Sequence, residues 1–217
     1  IPAWVQNATS NFMGPDKMFI DMVKESTLKT PAGVKHLALK VRSSGNAVSM
    51  ISDLVSFYSG GNGRTIVFTE TKNEANNILL DAGIRTECQV LHGDIPQSQR
   101  EITFQGFREG SFKCLIATNV AARGLDIPHV ELIIQVGFPQ ELESYIHRAG
   151  RTARAGRNGT CLTIYTQEDE YKLNEYSKQA GFTFEKIGAP QPEQIMKAAG
   201  RDAINLLETV TPDILPI

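Results

Sequence analysis

Five basic side chains crowd into YIHRAGRTARAGRNGT, residues 145–160: His147, Arg148, Arg151, Arg154 and Arg157. No carboxylate lies among them, and Gly150, Gly156 and Gly159 are interleaved. Arginine's planar fork pairs with phosphate oxygens and stays charged at any working pH. Glycines let another backbone come close. Arg148, Arg151 and Arg154 are three apart, so on a helical turn they project to roughly one side. A solvated basic face or a localisation signal is the plainer account. Localisation signals usually contain lysine and lack punctuating glycines, so the spacing favours an anion.

Three further stretches could handle an anion. In CLIATNVAARGLDIPHVELIIQVGFP (114–139) a buried run ends at Ala117-Thr118 and a small-residue turn, Asn119 to Gly124, follows. Thr118 offers a hydroxyl and a backbone N–H to a phosphate, and Asp126 can accept hydrogen bonds from a sugar hydroxyl or an arginine. A tight strand-to-helix turn with an Asp cap is an equal reading. In VLHGDIPQSQREITFQGFREG (90–110), His92-Gly93-Asp94 closes a strand and Pro96 opens a helix with Gln97, Arg100 and Glu101 on its early turns. An arginine there suits a nucleic-acid backbone; a surface ion pair with a nearby acid is as common. VFTETK (67–72) ends a strand with hydroxyls, Thr69 among them, and a lysine. No G-x-x-x-x-G-K-[ST], G-x-S-x-G or H-E-x-x-H appears, nor an acidic cluster suited to magnesium. The chain lacks the parts to hydrolyse a nucleotide alone.

The elements that must position these residues alternate. β-like runs at 34–41, 64–70, 87–93, 112–118, 130–136 and 160–166 are separated by helical stretches at 46–58, 71–82, 96–109, 140–149 and 168–180. Such alternation implies right-handed crossovers and an α/β fold with a mostly parallel sheet covered on both faces. Ligands of such sheets sit beyond the carboxyl ends of the strands, where all the motifs are expected to fall. Trp4, Val5, Ala8 and Phe12 share a helical face, Met18, Ile20 and Met22 alternate like a short strand, and 24–33 is linker-like. Around 192–208, Ile195, Met196, Ala199, Ala203, Leu206 and Leu207 fall at helical spacing. The 217 residues nearly balance in charge at −2, so any anion site is local. Cys88, Cys114 and Cys161 lie far apart in sequence with no CxxC pair, which argues against a zinc site or a disulfide framework. No apolar run is long enough to span a bilayer. The chain opens at Ile1 and is expected to be a piece of a longer protein.

TIVFTETK, LHGDIPQSQRE, ATNVAARGLDIP and YIHRAGRTARAG together resemble the successive signature motifs of the second RecA-like lobe of DEAD-box RNA helicases, in their usual order. HGDIPQSQREITFQGFREGSFKCLIATNVAARGLDIP, ESYIHRAGRTARAGRNG and KQAGFTFEKIGAP are similar to the Gu-type nucleolar members. The resemblance implies a RecA-like sheet. It divides the chain into the tail of lobe one (1–25), an interlobe linker (26–33), the C-terminal lobe (34–187) and the start of an extension that is a candidate dimerisation segment (188–217). It implies ATP and Mg2+ as cofactors, with the metal ligands in the first lobe, and RNA and that first lobe as partners. Arg151 and Arg154 match the fingers that reach the γ-phosphate. Asp126 matches an aspartate near the ribose; Arg123 and Gly124 belong to the same interlobe motif. His147 and Arg148 match residues contacting lobe one, and Arg100, Gly93, Thr118 and Thr69 match positions on the RNA backbone. A nuclear or nucleolar home and ribosomal RNA processing follow from the Gu-type likeness, although organellar and bacterial relatives have similar lobes. The alternative is a non-catalytic RNA-binding or dimerising scaffold.

Three positions depart from the usual pattern. Asn119 replaces an aspartate, and Gly137 stands where many members have one. Ala153 replaces a glycine; its Cβ costs little at negative φ and is able to shift the aim of Arg154 at positive φ.

Overall fold

The computed structural model describes residues 3–14, 18, 30–60, 63–80, 88–119, 130–154 and 156–208. Its strands are β1 (Val34–Lys40), β2 (Thr65–Thr69), β3 (Cys88–Leu91), β4 (Cys114–Thr118), β5 (Leu132–Val136), β6 (Gly159–Tyr165) and β7 (Glu185–Ile187). They form one sheet in the order β3-β4-β2-β5-β6-β1-β7, every neighbouring pair parallel. The helices are α1 (Ala3–Phe12), α2 (Ser44–Tyr58), α3 (Lys72–Leu80), α4 (Gln97–Glu109), α5 (Leu142–Ala149), α6 (Glu170–Ala180) and α7 (Pro192–Glu208).

The central strands TIVFT, CLIAT and LIIQV are buried at every position. A parallel sheet covered on both faces demands apolar residues at both parities, which is why these runs do not alternate. One core joins Ile66, Phe68, Leu115 and Ile133 to Phe107 of α4, Tyr145 of α5 and Tyr176 of α6. The other joins Val67, Ile116, Ile134 and Leu162 to Ile51 and Leu54 of α2 and Ile78 of α3. Thr71 and Glu74 make a reciprocal capping box at the start of α3: the Glu74 N–H donates to Thr71 Oγ1 and the Thr71 N–H to Glu74 Oε2, each at 3.2 Å. The entry to α5 is fixed by the Tyr176 hydroxyl, which donates to the Pro139 carbonyl at 2.7 Å; burial pushes that phenol up to about 12.

The α/β fold, the six foreseen strands and the five foreseen helices stand as read. The three-residue strand β7, at the sheet's edge, was not foreseen. The alternating segment at Ile20 and Met22 and linker residues 26–29 lie outside the described residues. Helix α7 packs along α2 of its own lobe and still leaves Met196, Ile204 and Leu207 exposed. Among the described residues no helix is long and apolar enough to cross a membrane.

Candidate functional site

The carboxyl ends of β2, β3 and β4 form an open edge. Thr69 and Thr118 lie side by side across the β2–β4 pair, both buried. Strand β3 runs into Gly93, which is exposed, and a Cβ built there would meet nothing within 4 Å. A ligand backbone can therefore lie close to this turn. Arg100 is half-buried on the first turn of α4 and donates to Gln97 Oε1 at 3.1 Å, while Gln97 donates to Glu101 at 2.9 Å. The ion pair weighed for Arg100 is absent among the described residues. Lys72 donates to Asp94 at 2.6 Å and holds that carboxyl below its ordinary range.

Arg148 draws this edge together from beneath. Its residue is 2 % exposed. Nε donates to Asn119 Oδ1 at 2.8 Å, Nη2 meets Glu70 Oε1 at 2.5 Å, and the guanidinium lies 5.4 Å from the centre of the Phe68 ring. The resemblance implies a contact with the first lobe; the structure gives Arg148 partners at the ends of β2 and β4 in its own lobe. His147, one residue earlier, is exposed.

The helical phase expected to align Arg148, Arg151 and Arg154 does not hold, because α5 ends at Ala149. The chain leaves it through tighter bonds, from the Arg151 N–H to the Arg148 carbonyl at 3.0 Å and from the Thr152 N–H to the Ala149 carbonyl at 3.2 Å. Arg151 and Arg154 end up half-buried on the turn that follows, and Arg154 Nε donates back to the Gly150 carbonyl at 3.1 Å. Between them Thr152 is buried, and its hydroxyl donates to the Val130 carbonyl just before β5. Gly159, the first residue of β6, leaves room for this: a Cβ there would sit 1.9 Å from Thr152 Oγ1 and 2.8 Å from the Ala153 nitrogen. The arginine turn is thus seated at the amino ends of β5 and β6. That corrects the expectation that every motif lies beyond the carboxyl ends. The two groups of site residues therefore lie at opposite ends of the strands. Ala153 itself has φ 54, the left-handed conformation in which a Cβ is strained.

The model of the helicase conserved C-terminal domain matches residues 46–156, which is 111 of the 217 residues. The chain belongs to that family. It is 47% identical over 211 residues to nucleolar RNA helicase 2 of Rattus norvegicus, covering 97% of this chain and 27% of the relative. To DEAD-box ATP-dependent RNA helicase 7 of Oryza sativa it is 42% identical over 217 residues, covering 100% of this chain and 30% of the relative. The chain therefore spans less than a third of the length of these curated relatives. Among solved structures, the C-terminal domain of the DEAD-box protein Dbp5 matches with TM-score 0.67 and 27% identity, over 78% of this chain and 98% of that one. The resemblance to a DEAD-box C-terminal lobe and its RecA-like fold stands.

Beneath α5 this helicase domain carries a buried polar chain of residues far apart in sequence. Gln135 Nε2 donates to Cys161 Sγ at 3.2 Å, the Cys161 S–H to the Tyr145 hydroxyl at 3.7 Å, and Tyr145 Oη lies 2.8 Å from His36 Nδ1. The other ring nitrogen, Nε2, lies 3.3 Å from Thr30 Oγ1. Burial lowers His36 to about 4, which keeps the ring neutral near pH 7. Through Tyr145, residues in β1, β5 and β6 and in the segment before β1 are thereby tied to the helix that carries Arg148.

Arg123, Gly124 and Asp126 lie outside the described residues. The residues missed by sequence reasoning are Glu70 and Thr152, each of a type too common to mark itself; the close backbone approach expected at the glycines is found at Gly159. A cleft of about 400 Å³ at the carboxyl ends of β1, β5 and β6, lined by Arg42, Ser43, Gly137, Thr166 and Asp169, holds none of the predicted site residues. Gly137 there has φ 80, a conformation that disfavours the aspartate many members carry.

Proposed function

We propose that this chain is the second lobe of an ATP-dependent RNA helicase. The layout of the two ends supports that reading best: a braced arginine turn at the amino ends of the strands and an open, basic-edged backbone surface at the carboxyl ends. A first lobe binds ATP and Mg2+ and supplies the metal's ligands. On closure Arg151 and Arg154 meet the γ-phosphate, where guanidinium groups stabilise the charge that spreads in the transition state, an effect worth roughly 10³–10⁵ in rate. Asp126, Gly124, Arg123 and His147 serve the nucleotide and the lobe interface. Arg148, turned inward, acts by holding the ends of β2 and β4 in place.

At the other end Arg100, Gly93, Thr118 and Thr69 grip the RNA sugar-phosphate backbone and impose a bend incompatible with continuous duplex, so a short helix opens locally. Contacts to phosphate and sugar give little sequence preference, and RNA is told from DNA by its 2′-hydroxyls. The names of the relatives support a nuclear or nucleolar setting, and ribosomal RNA processing is the process that fits it. The 217 residues alone are catalytically silent on this reading. The test is RNA-stimulated ATP hydrolysis by the whole parent protein, wild type beside Arg151→Ala and Arg154→Ala. Loss of about 10²-fold or more with nucleotide affinity kept supports the fingers. A wild type that binds RNA without hydrolysis above background supports the scaffold instead.

A further inference from the structure

Strands β3 and β4 bring together two thiols that the sequence keeps apart. Cys88 opens β3, Cys114 opens β4, and the parallel register sets them directly opposite each other. Neighbouring strands lie about 4.8 Å apart, inside the ~4.4–6.8 Å Cα separation that a disulfide spans. Residues opposite one another in a parallel pair leave the sheet on the same face, and both sulfurs enter the core that holds Ile78 and Ile116. A side-chain hydrogen bond joins the two thiols, so the groups already touch. Cys114 is buried; Cys88 is half-buried on β3, the last strand of the sheet among the described residues.

We propose that Cys88 and Cys114 are a redox modification site, a dithiol that hydrogen peroxide converts into a cross-strand disulfide. The Cys88 thiolate attacks one peroxide oxygen, the O–O bond breaks, and the departing hydroxide takes up a proton as water, leaving a sulfenic acid on Cys88. The Cys114 sulfur then attacks the Cys88 sulfur. The S–S bond forms, the S–O bond breaks, and the leaving hydroxide takes the Cys114 proton as a second water. Two thiols have then lost two electrons and one peroxide has gained them.

The contact between the thiols divides the roles. The hydrogen bond lowers Cys88 from its ordinary value, which favours the attacking thiolate, and raises Cys114. Cys161 provides an internal control, since it sits in the opposite core and burial pushes it up to about 11. The bond would tie together the two strands that lead to Gly93 and to Thr118.

The test treats the 217-residue chain with hydrogen peroxide, alkylates it after denaturation, and weighs the tryptic peptides with and without reduction. The expected result is a mass loss of two hydrogens, one linked pair of peptides joining Cys88 to Cys114, an alkylated Cys161, and full reversal by dithiothreitol. In Cys114→Ala the expected product is a Cys88 sulfenic acid that dimedone traps. The proposal is overturned if wild-type Cys88 advances to sulfinic acid while Cys114 stays alkylatable, if Cys161 oxidises first, or if both thiols survive a peroxide dose that oxidises an unstructured cysteine peptide. The wild-type result decides even if the variant fails to fold.

Discussion

The two ends of the sheet are built in opposite ways. At the amino ends the arginine turn rests on buried contacts: Thr152 on the Val130 carbonyl, Gly159 with no room for a Cβ, Ala153 at φ 54. At the carboxyl ends Gly93 stands in open space, Arg100 bonds a glutamine three residues away, and the Lys72–Asp94 pair is exposed on both sides. A group that stabilises charge in a transition state has to be held within a fraction of an ångström. A surface that follows a sugar-phosphate backbone tolerates adjustable contacts. The same sheet thus gives one end a fixed geometry and leaves the other adaptable.

The sharpest way to break this contrast is to compare one arginine from each end in the whole parent protein. Arg151→Ala should lower RNA-stimulated turnover by about 10²-fold or more with nucleotide affinity unchanged. Arg100→Ala should leave turnover at saturating RNA within a few-fold, weaken RNA binding about equally for all sequences, and reduce the salt slope by about one. Equal losses of turnover in both variants would mean that the two ends act as one device.

Stability separates them next. Gly159→Ala drives a methyl group into Thr152, and overpacking of that severity should cost about 3 kcal/mol in denaturant unfolding of this chain. Gly93→Ala, with nothing nearby to strike, should stay within about 0.5 kcal/mol. Comparable costs would remove the claim that only the arginine turn is braced.

A smaller effect belongs to the polar chain beneath α5. Tyr145→Phe keeps the ring and deletes the hydroxyl shared by His36 and Cys161, leaving buried partners unsatisfied at a cost of about 2 kcal/mol. The pH dependence has a definite sign. His36 falls from 6.5 to about 4 on folding, so between those values the unfolded chain binds the extra proton. Its contribution is complete above about pH 6.5 and is lost as the pH drops toward about 4. Denaturant midpoints across that window should therefore fall with pH, and His36→Gln should flatten the trend. A variant as steep as wild type would assign the slope to other groups.

Much of this could be read from the sequence because a doubly covered parallel sheet advertises itself in unbroken apolar runs such as CLIAT and LIIQV. The motif stretches at strand ends were legible for the same reason. What could not be read was anything fixed by contacts distant in sequence. The three-residue spacing of Arg148, Arg151 and Arg154 looked like one helical face, yet Gly150 caps α5, so only Arg148 keeps the helical phase, and its side chain bonds Glu70 and Asn119. The placement rule for α/β ligands holds for Thr69, Gly93 and Thr118 and misplaces the arginine turn, because that turn follows a helix running back toward the strands' amino ends. Strand β7 escaped notice because three half-exposed residues at an edge carry no apolar run. The partnership of Cys88 with Cys114 depends on register, which composition does not contain.

The smallest predicted effect probes the most informative departure from the family pattern. Ala153 occupies a left-handed conformation, φ 54, at the position where the motif it resembles has glycine. Holding an L-residue there costs about 1–2 kcal/mol. Glycine would relieve that strain but would lose about 0.5–1 kcal/mol through the greater freedom of the unfolded chain. The difference predicts that Ala153→Gly stabilises this chain by about 0.5 kcal/mol, measured as a shift in denaturant midpoint at constant slope. Thr152 and Gly159 already fix the path of the backbone on one side of Ala153, and the Arg154 Nε bond to Gly150 fixes it on the other. The substitution should therefore leave the aim of Arg154 unchanged, and ATP turnover of the whole protein within about twofold. A tenfold gain in turnover would show instead that the methyl group misaims Arg154.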